Sequence, residues 1–424
     1  MTVVAVANIV AILSVAFILW KREESFWRNI YGPALALKLF CGIALGLLYT
    51  YYYTVGDTFT YHKDGIALAN MARHNVQDYL QFLWNGNDTH IIWKNLYLQE
   101  PRAVFMSKIT SIFCLLSHDN YWVVSIHLSF IAFLSTWFLV KQLSRIDAIA
   151  GPAIVAFLFF PSAVFWSSGV IKESIAMASL YYLAAVFLKA WMQQPLRIIH
   201  WLLLPVALWL LWALKYYYLA VLLPVVVTTL VVKLVLVPRI PFRHWAAIGL
   251  LWFMVFAVPL FVATTVHPNF YPERFMGVIV ENYKAFAAAS PPEDRIVYEH
   301  LQPRIQSIAL YAPKALVSGL FRPFIGEAHN AMQMLVALEN LVVLALFIAT
   351  ITRLRNAVAP GYRLLVVSAS VYIVMLCIFL ALSTPNFGTL SRYKVGFQSF
   401  FVLLILINNP LFTRLQTFAQ RSLR

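Results

Sequence analysis

Residues 198–214, IIHWLLLPVALWLLWAL, and residues 217–236, YYLAVLLPVVVTTLVVKLVL, are two apolar runs separated only by Lys215 and Tyr216. Each run is close to the roughly 20 apolar residues that an α-helix needs to cross the hydrocarbon core of a bilayer. The pair therefore predicts an integral membrane protein in which consecutive spans are joined by short turns.

The composition of the whole chain supports this class. Of its 424 residues, 62% are hydrophobic and 12% are charged, whereas a soluble domain has roughly 45–50% apolar and about 25% charged residues. An aromatic content of 16% excludes a disordered chain. The net charge of +15 is typical of a membrane protein that keeps Lys and Arg on its cytoplasmic side, so no nucleic-acid partner is predicted.

The predicted fold is an all-α integral membrane protein, a single polytopic domain over residues 1–424. Apolar runs predict about eleven transmembrane helices, at residues 3–20, 35–53, 120–140, 150–166, 173–190, 198–214, 217–236, 245–266, 330–351, 364–383 and 396–411. Two long stretches, 54–119 and 267–329, are predicted to be outer loops. Within the first, residues 103–116 are too short to span and contain Lys108, which favours an amphipathic interfacial helix.

Basic residues set the predicted orientation. If residues 21–34 face the cytoplasm, the short loops on that side carry many Lys and Arg residues and few acids, whereas the basic residues of the other side lie mostly in the long loops. The unusual polar clusters then fall on the outer side. They are GDTFTYHKDG (56–65), SSGVIKES (167–174), KYYY (215–218), FRPFIGEAHN (321–330) and SRYK (391–394).

Charges beside apolar spans predict a functional cavity. Asp57 has the chemistry of a base that deprotonates an acceptor, and Glu173 could orient that acceptor. Lys172 could neutralise Glu173 or meet a phosphate. A phosphate clamp is the predicted role of three further basic residues, Arg322, Arg392 and Lys394. The alternative reading of these charges is a network of salt bridges at helix ends.

Other polar residues leave alternatives open. His329 has the chemistry of a base, but capping of the ninth span, with Asn330 helping, is favoured. The KYYY cluster is favoured as an interfacial anchor. No metal-binding spacing occurs among the histidines, and a divalent cation held by Asp57 and Asp64 has little support. No cofactor is predicted.

The order of these motifs resembles the GT-C superfamily of membrane glycosyltransferases, especially bacterial relatives of the protein O-mannosyltransferases and aminoarabinose transferases. The stretch VGDTFTYHKDGIALANMA resembles the acidic motif that opens the first outer loop of that family, and Thr58 stands in place of the second acid. EPRAVFMSKITSIFCLLS is similar to its Pro-containing interfacial helix. FFPSAVFWSSGVIKESIAMASLYYL resembles a turn that joins two later spans of the family, with Glu173 as its acid. SRYKVGFQSFFVLLIL is similar to the Arg-Tyr that precedes an apolar run near the last span of the family.

The resemblance implies an inverting hexosyl- or pentosyltransferase of a bacterial inner membrane, with its site on the outer, periplasmic side. The donor would be a sugar linked to polyprenyl phosphate, and the acceptor a glycan, a lipid or a protein. Asp57 would be the base, Tyr61 would follow it in the substrate site, and Arg392 would meet the lipid phosphate.

Two other classes compete with this reading. O-antigen polymerases and ligases, which use a glycan linked to polyprenyl diphosphate, have an outer-side Arg and a His-Asn motif that FRPFIGEAHNAMQMLVALENL resembles, with Arg322 and His329 as its basic pair. A flippase or transporter of lipid-linked sugars is the third class, and charges on only one face of the membrane argue against it.

Overall fold

The computed structural model describes residues 3–53, 56–86, 90–239, 245–266, 271–351 and 362–422. These residues form helices and connecting turns, with one isolated β-bridge between Arg295 and Asn386. The predicted all-α class is confirmed. Residues 54–55, 87–89 and 267–270, which belong to the two predicted outer loops, lie outside the described residues.

The helices fall into two compact units. Unit 1 comprises Met1–Lys141, Phe157–Val186 and Leu196–Tyr216, and unit 2 comprises Gln142–Ala156, Phe187–Pro195 and Tyr217–Arg424. In chain order the α-helices are α1 (Val3–Lys21), α2 (Ser25–Tyr51), α3 (Asp57–His74), α4 (Val76–Asn85), α5 (Ile91–Lys94), α6 (Pro101–Ser117), α7 (Tyr121–Leu143), α8 (Ala150–Ile154), α9 (Pro161–Phe165), α10 (Lys172–Trp191), α11 (Ile198–Leu230), α12 (Trp245–Val266), α13 (Pro272–Ala288), α14 (Ile305–Phe321), α15 (Ala331–Ile351), α16 (Arg363–Ser383), α17 (Phe387–Tyr393), α18 (Val395–Leu406) and α19 (Pro410–Ser422).

Seven helical stretches of the described residues are long and apolar enough to cross a membrane, and an eighth is counted if the bent pair α18 and α19 forms one span. The seven are Val3–Lys21, Ser25–Tyr51, Tyr121–Leu143, Lys172–Trp191, Ile198–Leu236, Ala331–Ile351 and Arg363–Ser383. The chain is a multi-pass membrane protein. The predicted count of eleven spans is not confirmed.

The difference arises where apolar runs bend or merge. The predicted span 150–166 is interrupted at Phe160, which is extended, before Pro161 starts α9. The last predicted span, 396–411, bends by 79° between α18 and α19. Two predicted spans merge into Ile198–Leu236, whose 39 residues would measure about 58 Å as one straight helix. Lys215 has non-helical backbone angles inside that stretch, at the boundary between the two predicted spans.

Three shorter apolar helical stretches of 10–17 residues are not counted among the candidate spans. They are Ala150–Phe159, Ala246–Val262, which lies within α12 where the span 245–266 is predicted, and Ile305–Phe321. The last of them lies within the stretch 267–329 that the sequence analysis assigns to an outer loop.

The first predicted outer loop is a folded helical layer within unit 1. Helix α3 packs along α6, and Gly65 permits their close approach, because a Cβ there would press on Thr110 and Cys114. Leu68, Tyr79, Phe82, Trp93, Leu96 and Val104 form a buried apolar core between these helices. Helix α6, predicted as interfacial, is not among the candidate spans.

Small residues hold α2 against α7 and against the turn after α9. The Ser125 hydroxyl donates to the Gly42 carbonyl at 2.9 Å, and the Gly169 N–H donates to Ser129 Oγ at 2.9 Å. Gly169 has φ +76°, a left-handed conformation that glycine adopts without strain. A Cβ at Gly42 would collide with Ser129 Oγ, so this contact depends on glycine.

Gly42→Ala should lower the free energy of unfolding by about 1–3 kcal/mol, the usual cost of overpacking, because Ser129 must move away from Gly169. Gly277→Ala, in the interior of α13, is the control. A Cβ at Gly277 meets nothing within 4 Å, so this variant should gain ~0.5–1 kcal/mol from helix propensity. Thermal unfolding in detergent measures both variants, and equal shifts would contradict this packing.

Candidate functional site

Asp57 lies at the first residue of α3 and is half-buried. The preceding Gly56 must be small, because a Cβ there would run into the ring of Tyr49. Asp57, Tyr61 and Asp64 are spaced i, i+4 and i+7, so they share one face of α3. The neighbouring Thr58 is fully buried, and its hydroxyl is 2.7 Å from the Tyr121 hydroxyl, which fastens α3 to α7.

Asp64 is buried, and its carboxylate is hydrogen-bonded to backbone N–H groups. It accepts hydrogen bonds from the N–H groups of Tyr97 at 2.9 Å and Leu98 at 3.2 Å. Burial raises the pKa of Asp64, and the two backbone bonds oppose that shift without reversing it. Both carboxylate oxygens of Asp64 thus hold the loop after α5 in place.

Lys172 lies within a cluster of charged and aromatic side chains of unit 1, here called the charged cluster. The cluster contains Tyr61, Glu100, Arg102, Lys172 and Tyr216. The Lys172 ammonium is 3.2 Å from Glu100 Oε2 and lies over the ring of Tyr61 at 5.9 Å. Arg102 Nε is 3.3 Å from Glu100 Oε1, and its guanidinium lies over the ring of Tyr216 at 4.9 Å. Both cations of the cluster thus share one carboxylate.

Glu173, next to Lys172, is fully buried and pairs with Lys215. Glu173 Oε1 is 2.8 Å from Lys215 Nζ, and the two side chains are 0% and 3% exposed. Lys215 is the non-helical residue that breaks the apolar stretch 198–236. The interpretation of this lysine as an interfacial anchor is wrong, because its ammonium is held inside the protein by a carboxylate.

An apolar groove of about 600 Å³ lies within unit 1. Its lining residues include Leu80, Leu83 and Trp84 of α4, Phe105, Ile109 and Ile112 of α6, Ile131 of α7, Ile175, Ala178 and Tyr182 of α10, and Leu203, Ala207, Trp209 and Leu210 of α11. Trp84 is 88% exposed and Trp209 is 57% exposed, so the groove is open to the surroundings. A charged lining residue, Lys108, directs its ammonium to the carbonyls of Leu83 and Gly86.

The groove and the charged cluster share helices. Phe105 lines the groove one turn after Arg102 on α6, and Ile175 lines it one turn after Lys172 on α10. Tyr216, at the cluster, comes after the groove residue Leu210 along the chain, beyond the non-helical Lys215. Charged side chains and apolar lining residues therefore occupy neighbouring turns of α6 and α10.

Arg322 and Arg392 lie in unit 2. Arg322 forms two hydrogen bonds to Glu327, at 3.0 Å and 2.5 Å, and lies over the ring of Phe387 at 5.0 Å. Burial raises the pKa of Glu327, but the bonds from Arg322 and from the Phe324 N–H outweigh it and hold the pKa below its usual value. Arg392, on the short helix α17, is only 8% exposed.

Lys394 is also buried in unit 2, with 1% of its surface exposed. Its ammonium donates to Asn340 Oδ1 at 2.9 Å and to the Leu320 carbonyl at 3.5 Å, while Asn340 donates to the Pro323 carbonyl at 3.1 Å. Lys394 therefore ties together three segments of unit 2.

His329 is exposed at the start of α15, where the structure supports capping. Asn330 Oδ1 accepts from the Gln333 N–H at 2.9 Å, and Gln333 Oε1 accepts from the His329 N–H at 2.8 Å. The capping side chain is therefore that of Asn330, whereas the sequence analysis favours His329 as the cap with Asn330 helping; His329 contributes its backbone N–H.

Four predicted site residues, Asp57, Tyr61, Lys172 and Glu173, belong to unit 1, and the other four, Arg322, His329, Arg392 and Lys394, belong to unit 2. Sequence reasoning missed Glu100 and Arg102 in the charged cluster. It also missed Lys38, a buried lysine of α2 whose ammonium is 2.5 Å from Ser167 Oγ. A lysine in the middle of an apolar span was the available signal for Lys38.

Comparison of the chain with protein-family models, with curated proteins and with solved structures found no match. The resemblance to GT-C glycosyltransferases therefore stays an expectation drawn from motifs.

Glu173→Gln should lower the free energy of unfolding by about 3–5 kcal/mol, because it leaves the Lys215 ammonium buried without its charge partner. Replacing both residues by Met removes both charges and should be less destabilising than Glu173→Gln alone. Thermal unfolding of the single and double variants tests this. A Glu173→Gln protein as stable as the wild type would show that the pair does not support the fold.

Proposed function

We propose that this chain is a membrane glycosyltransferase that moves a sugar from a polyprenyl-phosphate donor to a glycan, lipid or protein acceptor. The reaction would take place at the outer face of a bacterial inner membrane. The observation that carries the proposal is that charged-cluster residues and groove residues occupy consecutive turns of α6 and α10. A phosphorylated polyprenyl lipid has the matching division into an anionic head and a long apolar tail.

The donor would bind with its head at the charged cluster. Lys172 and Arg102 supply the positive charge that a phosphodiester needs, and the fork of an arginine suits phosphate oxygens. The prenyl chain would lie in the groove lined by α4, α6, α10 and α11. Close packing against the apolar side chains, rather than removal from water, would favour this position, because the surrounding lipid is apolar too.

The chemical step needs a base and stabilisation of the leaving group. Asp57 would take the proton from an acceptor hydroxyl as its oxygen bonds to the anomeric carbon of the donor sugar. The bond from that carbon to the phosphate oxygen breaks, and its electron pair leaves with the polyprenyl phosphate. Lys172 and Arg102 would stabilise the charge that develops there. Glu173 would act through Lys215 as a positioning residue, because it is buried away from the surface.

The basic residues of unit 2 give less support to a phosphate clamp. The Lys394 ammonium is bonded to Asn340 and to the Leu320 carbonyl, and the Arg322 guanidinium is paired with Glu327. The same Arg322 pairing, together with the capping at Asn330, weakens the polymerase or ligase reading, which needs Arg322 and His329 in the reaction.

Asp57→Asn tests the proposal, because the amide preserves the size of the side chain but cannot take up the proton. Sugar transfer should fall by about 10²–10⁴-fold, the usual contribution of a positioned base. Turnover is measured on purified protein with a polyprenyl-phosphate sugar, together with thermal unfolding to show that the fold persists.

His329→Ala is the control that separates the two enzyme readings. The glycosyltransferase reading expects near-normal turnover, because the exposed imidazole is not placed in the site. The opposite ranking, with His329→Ala inactive and Asp57→Asn active, would replace the proposal by a polymerase or ligase.

A further inference from the structure

Glu100 holds an unusual position in the charged cluster. Its two carboxylate oxygens contact different cations, Oε1 the Arg102 guanidinium at 3.3 Å and Oε2 the Lys172 ammonium at 3.2 Å. Glu100 is the residue before α6, but its side chain makes no capping hydrogen bond to that helix. The carboxylate is therefore placed to serve the two cations.

The Glu100 carboxylate is also easily displaced. Its side chain is 50% exposed, whereas that of Lys172 is only 14% exposed. A half-exposed ion pair contributes little to stability, because water solvates the separated charges well. Glu100 can thus swing into solvent while Lys172 stays where it is, beside the ring of Tyr61.

We infer that Glu100 occupies the place of an anionic lipid headgroup and is displaced when a phosphorylated lipid binds. A phosphate monoester carries about −1.5 to −2 charges at pH 7, against −1 for the carboxylate. It also offers more acceptor oxygens to the two cations. The exchange of one anion for another leaves no buried charge unpaired in either state.

The apolar groove favours a phosphorylated lipid over free phosphate as the molecule that displaces Glu100. Phe105 and Ile175, each one turn from a cation of the cluster, begin the apolar lining. An amphiphile can place its phosphate at Lys172 and Arg102 while its chain replaces water or lipid along α6 and α10. Free phosphate would contact only Lys172 and Arg102 and would make no contact with the groove. The occupant is therefore the phosphorylated lipid itself.

This inference rests on the proposed function for its substrate class and adds a role in turnover. The product of the transfer is a polyprenyl phosphate monoester, which carries more negative charge than the donor diester. The returning Glu100 carboxylate would compete with that product for Lys172 and Arg102. Glu100 would thus favour product release.

Binding of farnesyl phosphate to the purified full chain in detergent tests the inference without any catalysis. Glu100→Gln should bind it about threefold to tenfold more tightly, because the competing negative charge is gone. Lys172→Met should bind it at least about tenfold more weakly, because a hydrogen bond to a charged group is lost. Arg102→Gln changes a side chain that is 42% exposed, so it should fold even if Lys172→Met does not, and it should also weaken binding.

Controls separate the charge effect from general effects. Glu281→Gln removes an exposed carboxylate of α13, in unit 2, and should leave the affinity unchanged. Farnesol, which lacks the phosphate, should bind the wild type and Glu100→Gln equally. Inorganic phosphate should bind far more weakly than farnesyl phosphate.

Two results would overturn the inference. One is an unchanged or weaker affinity of Glu100→Gln for farnesyl phosphate. The other is inorganic phosphate binding as tightly as farnesyl phosphate, which would exclude the groove from the site. Failure of the proposed function would look different: farnesyl phosphate would respond to Glu100 as described, but no sugar transfer would be found with any polyprenyl-phosphate sugar.

Discussion

The ion pair between Glu173 and Lys215 is the interaction on which unit 1 depends. Two charges buried to 0% and 3% exposure can persist in an apolar protein only because each neutralises the other. The pair joins the start of α10 to the point where the stretch 198–236 leaves helical geometry. Lys172 and Tyr216 are the chain neighbours of Glu173 and Lys215, so the ion pair also fixes their positions in the charged cluster. A membrane protein can break a long apolar helix in this way where protein surrounds the freed groups.

The charged cluster and the groove are both built on α6 and α10. Near the cluster, α6 and α10 carry charged residues, and one turn later the same helices carry the first groove residues, Phe105 and Ile175. Adjacent turns of the same rigid helices would therefore contact the polar head and the apolar tail of a bound lipid. Rigid helices hold such a site more accurately than loops do. The α3 face with Asp57 joins the cluster through Tyr61, which lies under the Lys172 ammonium.

Much of the fold could be predicted from the sequence, because long apolar runs indicate helices that cross a lipid bilayer. Helices such as Val3–Lys21 and Lys172–Trp191 begin and end close to the predicted bounds. The count of eleven spans is not confirmed, because hydropathy does not show where an apolar run bends, as at Phe160, or continues, as through Lys215. Asp57, Lys172 and Glu173 could be proposed as site residues from the sequence, because charges at the ends of spans are rare. The contacts of Glu100 with Lys172, of Arg102 with Tyr216 and of Lys215 with Glu173 could not be predicted, because these partners are distant in sequence and only folding brings them together.

Photo-crosslinking tests most directly whether a phosphorylated lipid occupies the groove. The purified chain would be irradiated with a polyprenyl phosphate that carries a diazirine in its tail, and the labelled peptides would be identified by mass spectrometry. The account predicts labels on Phe105–Ile112, Ile175–Tyr182 and Leu203–Leu210, reduced by unlabelled polyprenyl phosphate and retained with the neutral polyprenol as competitor. Labels confined to α14, α15 and α16, or labels that polyprenol removes equally well, would contradict it.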